Sequence, residues 1–156
     1  MPNTLAVAGN TRLAWSLSDG TSSQSKELSR TRSVTNGTGP NQATVAWYER
    51  VTATGVGFSR ALGALPVNNL GVTGAASITN VRELMVSIVT GPTGGAFSVA
   101  GPAGLTGVRV GVGGHLHMVD YVAGATGTST TLALSDGITG TYTVDLAIVG
   151  IGTYAS

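Results

Sequence analysis

The only two histidines of the chain stand in the stretch Gly113-Gly114-His115-Leu116-His117-Met118-Val119-Asp120. In an extended strand, residues i and i+2 point to one face, so both imidazoles could reach a single ion or substrate. Imidazole suits zinc, iron, manganese and copper, but a metal centre needs at least one further protein ligand. Asp120 stands three residues after His117, an offset that turns it to the opposite face of a regular strand.

Metal-binding cupin barrels place a glutamate shortly after such an H-x-H and add a distant third histidine. The corresponding positions here are Tyr121 and Val122, and there is no third histidine. His115 and His117 are thus candidate metal ligands without a complete set, and a cupin-like metalloenzyme is the remote alternative. The sequence predicts no catalytic residue, no bound metal and no cofactor. An exposed or interfacial strand face is the expected place for the pair, where imidazoles titrating near neutrality would make a contact responsive to pH.

Other chemistry-bearing patterns fail on context. Gly57-Phe58-Ser59-Arg60-Ala61 lacks the closing glycine and the strand–turn–helix setting of a nucleophile elbow. Gly150–Ala155 fits G-x-G-x-x-A, but no helix follows it to hold a pyrophosphate. The seven carboxylates are scattered, which speaks against a glycosidase pair. Cysteine is absent, so thiolate ligands, disulfides and thiol nucleophiles are excluded. Trp15 and Trp47 each sit in an alternating run beside aliphatic residues, and core packing is the expected role. A tryptophan platform for sugars would instead need a flat exposed ring.

The elements that must carry these residues are short β-type runs between turns. Turn signals recur at Asp19-Gly20, Asn36-Gly37, Gly39-Pro40, Gly94-Gly95, Asp136-Gly137 and Gly140. Thr11–Leu17 alternates with Leu13, Trp15 and Leu17 on one face, whereas Gln24–Val34 is polar and suits an exposed or edge strand. Ala43–Thr52 puts Val45, Trp47, Glu49 and Val51 on one side. Further strands are expected at Phe97–Ala100, Val108–Val112, His115–Val122, Thr130–Leu134 and Tyr142–Ile151. Val81–Val89 is ambiguous: Val81, Leu84, Met85 and Ile88 fit a helical stripe, while Leu84, Val86 and Ile88 fit a strand. A strand is the expected form, because Gly91-Pro92 ends the run.

The predicted fold is therefore all-β, a single-domain antiparallel β-sandwich or jelly roll with little or no helix. Residues 1–12 are expected to form an N-terminal arm or first strand, 13–152 the sandwich domain and 153–156 a C-terminal tail.

With 10% charged residues, against about 25% in typical soluble domains, the chain is expected to cover surface with neighbouring molecules. A formal net charge of +1 gives no electrostatic case for nucleic acid. The one basic cluster, Lys26, Arg30 and Arg32, is diluted by Glu27. No apolar run approaches the roughly 18 residues of a membrane helix, and the start of the chain has no signal-peptide pattern, so synthesis in the cytosol is expected.

Several stretches resemble small structural proteins of tailed-bacteriophage virions. They are Ser18-Asp19-Gly20, Asn36–Trp47 (NGTGPNQATVAW), Leu62–Leu65, Leu70–Gly74 (LGVTG), Val81–Val89 (VRELMVSIV) and Tyr142–Gly150 (YTVDLAIVG). The resemblance implies a non-enzymatic virion component made in the host cytoplasm. Its expected place is the capsid surface, as a decoration (cement) protein that binds the major capsid protein and itself, as a homodimer or homotrimer. A tail or baseplate module that binds host glycan or another tail protein is the alternative. The histidine pair is no part of this pattern and gains no role from it.

Overall fold

In a computed structural model, residues 5–18, 23–54, 57–69, 72–102, 105–119, 131–135 and 140–155 are described. They form strands and no α-helix. The strands are β1 (Ala6–Ser18), β2 (Ser23–Asn36), β3 (Gln42–Ala43), β4 (Val45–Thr54), β5 (Gly57–Ala61), β6 (Leu65–Asn69), β7 (Val72–Thr90), β8 (Ala96–Ala100), β9 (Val108–Gly111), β10 (His115–Val119), β11 (Thr131–Ser135) and β12 (Thr141–Ala155).

Two sheets face each other. One has the order β10-β7-β12-β4, with β6 also pairing β7; the other has the order β5-β11-β8-β9. Their strand pairs are antiparallel, so the molecule is the antiparallel β-sandwich that alternation and turn spacing predict. Strict alternation in β12 sends Tyr142, Val144, Leu146 and Ile148 into the interior, and β4 adds Val45 and Trp47 from beside it. The facing sheet contributes Phe97, Val99, Leu132 and Leu134. Phe97 is the centre of an aromatic contact, 4.4 Å from the Tyr142 ring and 6.2 Å, edge-on, from Phe58. Burying a side chain of this size stabilises the fold by about 1.5–3 kcal/mol.

Val81–Val89 lies within β7, a strand of 19 residues. Its pairing with β12 skips one β7 residue at each of three shifts: Val149 faces Glu83 but Gly150 faces Val81, Ile151 faces Asn80 but Gly152 faces Ile78, and Thr143 faces Thr90 but Val144 faces Ile88. The skipped residues Arg82, Thr79 and Val89 are β-bulges. Each bulge resets the alternation, so Ile78, Val81 and Leu84 all reach the core at a spacing of three. On β12, Gly150 and Gly152 oppose two of the bulges, and a Cβ on either would overlap the carbonyl oxygen of Asn80 or Ser77. The glycines of the G-x-G-x-x-A pattern thus serve sheet packing.

A third sheet, β1-β2-β3, is hydrogen-bonded separately from the two sandwich sheets. β1 and β2 form a hairpin paired without a break from Ala6↔Thr35 to Ser18↔Ser23. The expected boundary at residues 12 and 13 falls inside β1, and the arm consists of both hairpin strands. At the other end, β12 continues through Ala155 and pairs with Ala75 on β7, so the expected tail is largely strand.

Candidate interaction site: the hairpin arm and the cleft at its root

Alternation sorts the hairpin into two faces. The root of the arm places Leu5, Val7 and Val34 against Ala43, Ala46 and Val149, an apolar cluster on the outer face of the β10-β7-β12-β4 sheet. From there β1 crosses that sheet. A Cβ on Gly9 would touch Glu83, and the Thr11 hydroxyl reaches His117 on β10. Beyond Thr11 the described side chains of β1, those of Arg12, Leu13, Ala14 and Ser16, are exposed.

Leu13 and Leu28 are cross-strand partners on the underside of the exposed part, and both are open to solvent at 62% and 58% exposure. The leucine at position 13 therefore does not join this molecule's own core. The side chains of Trp15 and Leu17 lie outside the described residues. The upper side carries an ion pair between Arg12 and Glu27, at 2.8 Å. Lys26, Arg30 and Arg32 are on the same strand face as Leu28, so the basic cluster lies along the underside of the arm.

Both histidines occupy the outer face of β10, while Leu116 and Met118 turn inward to the core, so the shared face read from the i, i+2 spacing holds. Asp120, Tyr121 and Val122 lie outside the described residues. Among the described residues no group of three His, Asp or Glu side chains is arranged to hold a metal. His117 Nε2 lies 2.5 Å from Glu83 Oε1, and Nδ1 lies 3.3 Å from Thr11 Oγ1. Both ring nitrogens are thus engaged, and the tautomer sets which of them donates. This Thr11–His117–Glu83 chain pins the arm's root to the body. Glu83 was beyond sequence reasoning, because it stands 34 residues from His117 and meets it only through the β7–β10 register.

Beside the root runs a half-open cleft of about 530 Å³. Its floor is the outer sheet face, with Met85, Ser87, His115 and Ala147; its wall is the unbroken run Val7–Arg12. Six consecutive strand residues can line one cleft together only by presenting the strand's edge, since their side chains alternate between faces. Among the described residues β1 pairs with β2 alone, so this edge carries backbone donors and acceptors without ladder partners.

Two other clusters are structural. At the open side of the sandwich Arg60 of β5 makes a two-pronged ion pair with Glu49 of β4, at 2.7 and 3.0 Å. On the outer face Arg50 grips Asp145 through two hydrogen bonds of 2.6 Å, and the Tyr48 hydroxyl donates to the same carboxylate. The Arg50 contact holds the Asp145 carboxyl below the usual carboxylate range, and the bonded carboxylate raises the Tyr48 phenol. Trp47 is buried and donates from Nε1 to the Pro66 carbonyl at 2.8 Å, so its ring is no exposed platform.

No family model, curated protein or solved structure matches this chain.

Proposed function

We propose that this protein is a non-enzymatic structural component of a tailed-bacteriophage virion, a decoration protein that binds the assembled head shell as an oligomer. The observation that carries this reading is the exposed hairpin, with Leu13 and Leu28 paired on its surface and open to solvent. A two-stranded hairpin is at best marginally stable alone in water, so such an arm gains its order from what it touches. Low overall charge suits a surface covered by neighbours. The partner is the major capsid protein, and many weak contacts on a lattice add up through avidity. The protein stabilises the shell because it binds the assembled state and not its separated subunits.

The test uses shells of the phage that encodes the protein, stripped of it. Added back, the full chain should bind and raise the temperature at which the shells rupture. A variant with residues 13–28 replaced by Asn-Gly joins Arg12 to Ser29, which already face each other, through a two-residue hairpin turn. It should keep its folded sandwich and lose shell binding at least tenfold. Binding to tails in place of heads would assign the protein to the tail, and binding to neither would end the virion reading.

A further inference from the structure

We infer that the free edge of β1 is the site where a second copy of this chain pairs, antiparallel, to give a four-stranded sheet in the order β2-β1-β1′-β2′. The inference rests on reading the hairpin as an assembly arm and names its immediate partner.

The two edges of the hairpin differ in how they are protected. Natural edge strands avoid pairing through charges, prolines or bulges. β2 carries Lys26, Glu27, Arg30 and Arg32. β1, Ala-Val-Ala-Gly-Asn-Thr-Arg-Leu-Ala-Trp-Ser-Leu-Ser, has one charge in 13 residues, no proline and no break in its register with β2. An unguarded edge of this length is a template for another strand. Pairing of an edge with its own copy is isologous: the two strands are related by a two-fold axis normal to the sheet, and one patch serves both subunits.

Charge selects the register. With Arg12 on the axis, two guanidiniums would face each other directly, which destabilises a sheet. Arg12 already pairs with Glu27 of its own hairpin, so the registers differ in the partner's charges: with Thr11 on the axis, Arg12 meets Asn10′, backed by Thr31′, and no carboxylate of the partner is near. With Leu13 on the axis, Arg12 faces Ala14′, and Ala14′ is backed by Glu27′. Each Arg12 then reaches over a small alanine toward a carboxylate about two strand spacings, roughly 10 Å, away. The same register lays the two exposed Leu13 side chains against each other on the underside.

The cleft fits this arrangement. In the Leu13 register residues 14′–18′ run beside residues 12–8, so the backbone of the partner's arm enters the space between the β1 edge and the floor of Met85, Ser87 and His115. Each copy fills the other's cleft. The bodies lie on the same side of the joined sheet, one at each end of the paired strands, because both faces of a sheet are preserved by an axis normal to it.

The chain contains no cysteine, so a single introduced thiol can form a disulfide only between copies. In Leu13→Cys the two Cβ atoms would sit directly opposite, about 4.5–5.5 Å apart, close enough to bridge with a small shift. In Leu28→Cys the thiols would be three strand spacings apart, roughly 14 Å, too far for a disulfide. The expected result under mild oxidation is near-complete dimer for L13C and at least tenfold less for L28C. Sedimentation of the unoxidised chain should also give a dimer that R12E weakens at least tenfold and R12E/E27R restores. Failure of L13C to cross-link, or equal cross-linking of L28C, overturns the inference, as does an unaffected R12E dimer. Shell binding is measured alongside: a chain that binds shells without L13C cross-linking loses only this inference, and one that cross-links without binding shells loses only the virion assignment.

Discussion

Glu49 and Arg60 close the side of the sandwich where β4 and β5 approach, and both side chains are about three-quarters buried, with 25% and 26% exposure. Arg60 also covers the Phe58 ring from 5.5 Å. Glu49→Gln keeps the shape and removes the charge that the guanidinium faces. It should lower stability by about 1–2 kcal/mol in denaturant unfolding, and a double-mutant cycle with Arg60→Met should recover part of that loss. The Arg50–Asp145 pair behaves differently, because Arg50 is largely exposed. Asp145 has its folded-state pKa lowered, so its contribution is present above the unfolded value and is lost as pH falls through the folded one. Asp145→Asn should therefore melt slightly below the parent at pH 7, and the gap should close below about pH 4; a gap that widens in acid would contradict the assignment. At this scale the sequence disclosed types and faces but not partners. That His115 and His117 share a face follows from a spacing of two, whereas Glu83, Thr11 and the Arg60 clasp depend on registers between distant strands.

The strands themselves were legible where alternation is unbroken, as in β4 and β12. β7 was ambiguous for a physical reason: bulges at Thr79 and Arg82 turn a period of two into steps of three at Ile78, Val81 and Leu84, which mimic a helical stripe. The arm was half legible. The polar β2 reads as an edge, but an apolar face such as that of Leu13 looks the same in sequence whether it meets its own core or another chain. The arm's exposure predicts its dynamics, since local opening is easiest where few buried contacts oppose it. Backbone amides of Arg12–Ser16 in dilute protein should exchange at least a hundredfold faster than those of Leu84–Ile88 in the central strand. Thr11→Val cuts the Thr11–His117 link and should speed exchange at Val7–Asn10 without altering Leu84–Ile88. Equal exchange along the whole of β1 would mean that the body does not hold the root.

Across the whole molecule the order of the sheets joins residues far apart in sequence: Gly150 pairs with Val45, and Thr143 with Thr90. The sandwich cannot form in halves, because β12 lies between β4 and β7 and completes both pairings. Such a body should unfold as one cooperative unit, with the arm contributing little unless it is paired. If two arms pair, unfolding is coupled to dissociation, and stability then depends on protein concentration by mass action. Each tenfold rise in concentration above the dissociation constant adds about 1.4 kcal/mol per mole of dimer, or half of that per chain. For a domain of this size the melting temperature should climb by about 1–3 °C per decade. The variant in which Asn-Gly replaces residues 13–28 should melt at one temperature at every concentration, because the edge beyond Arg12 is gone. Calorimetry over three decades of concentration separates the cases. A melting temperature that stays flat in the full chain would mean that the sandwich unfolds from a monomer, and that the arm's edge is satisfied only by a different chain.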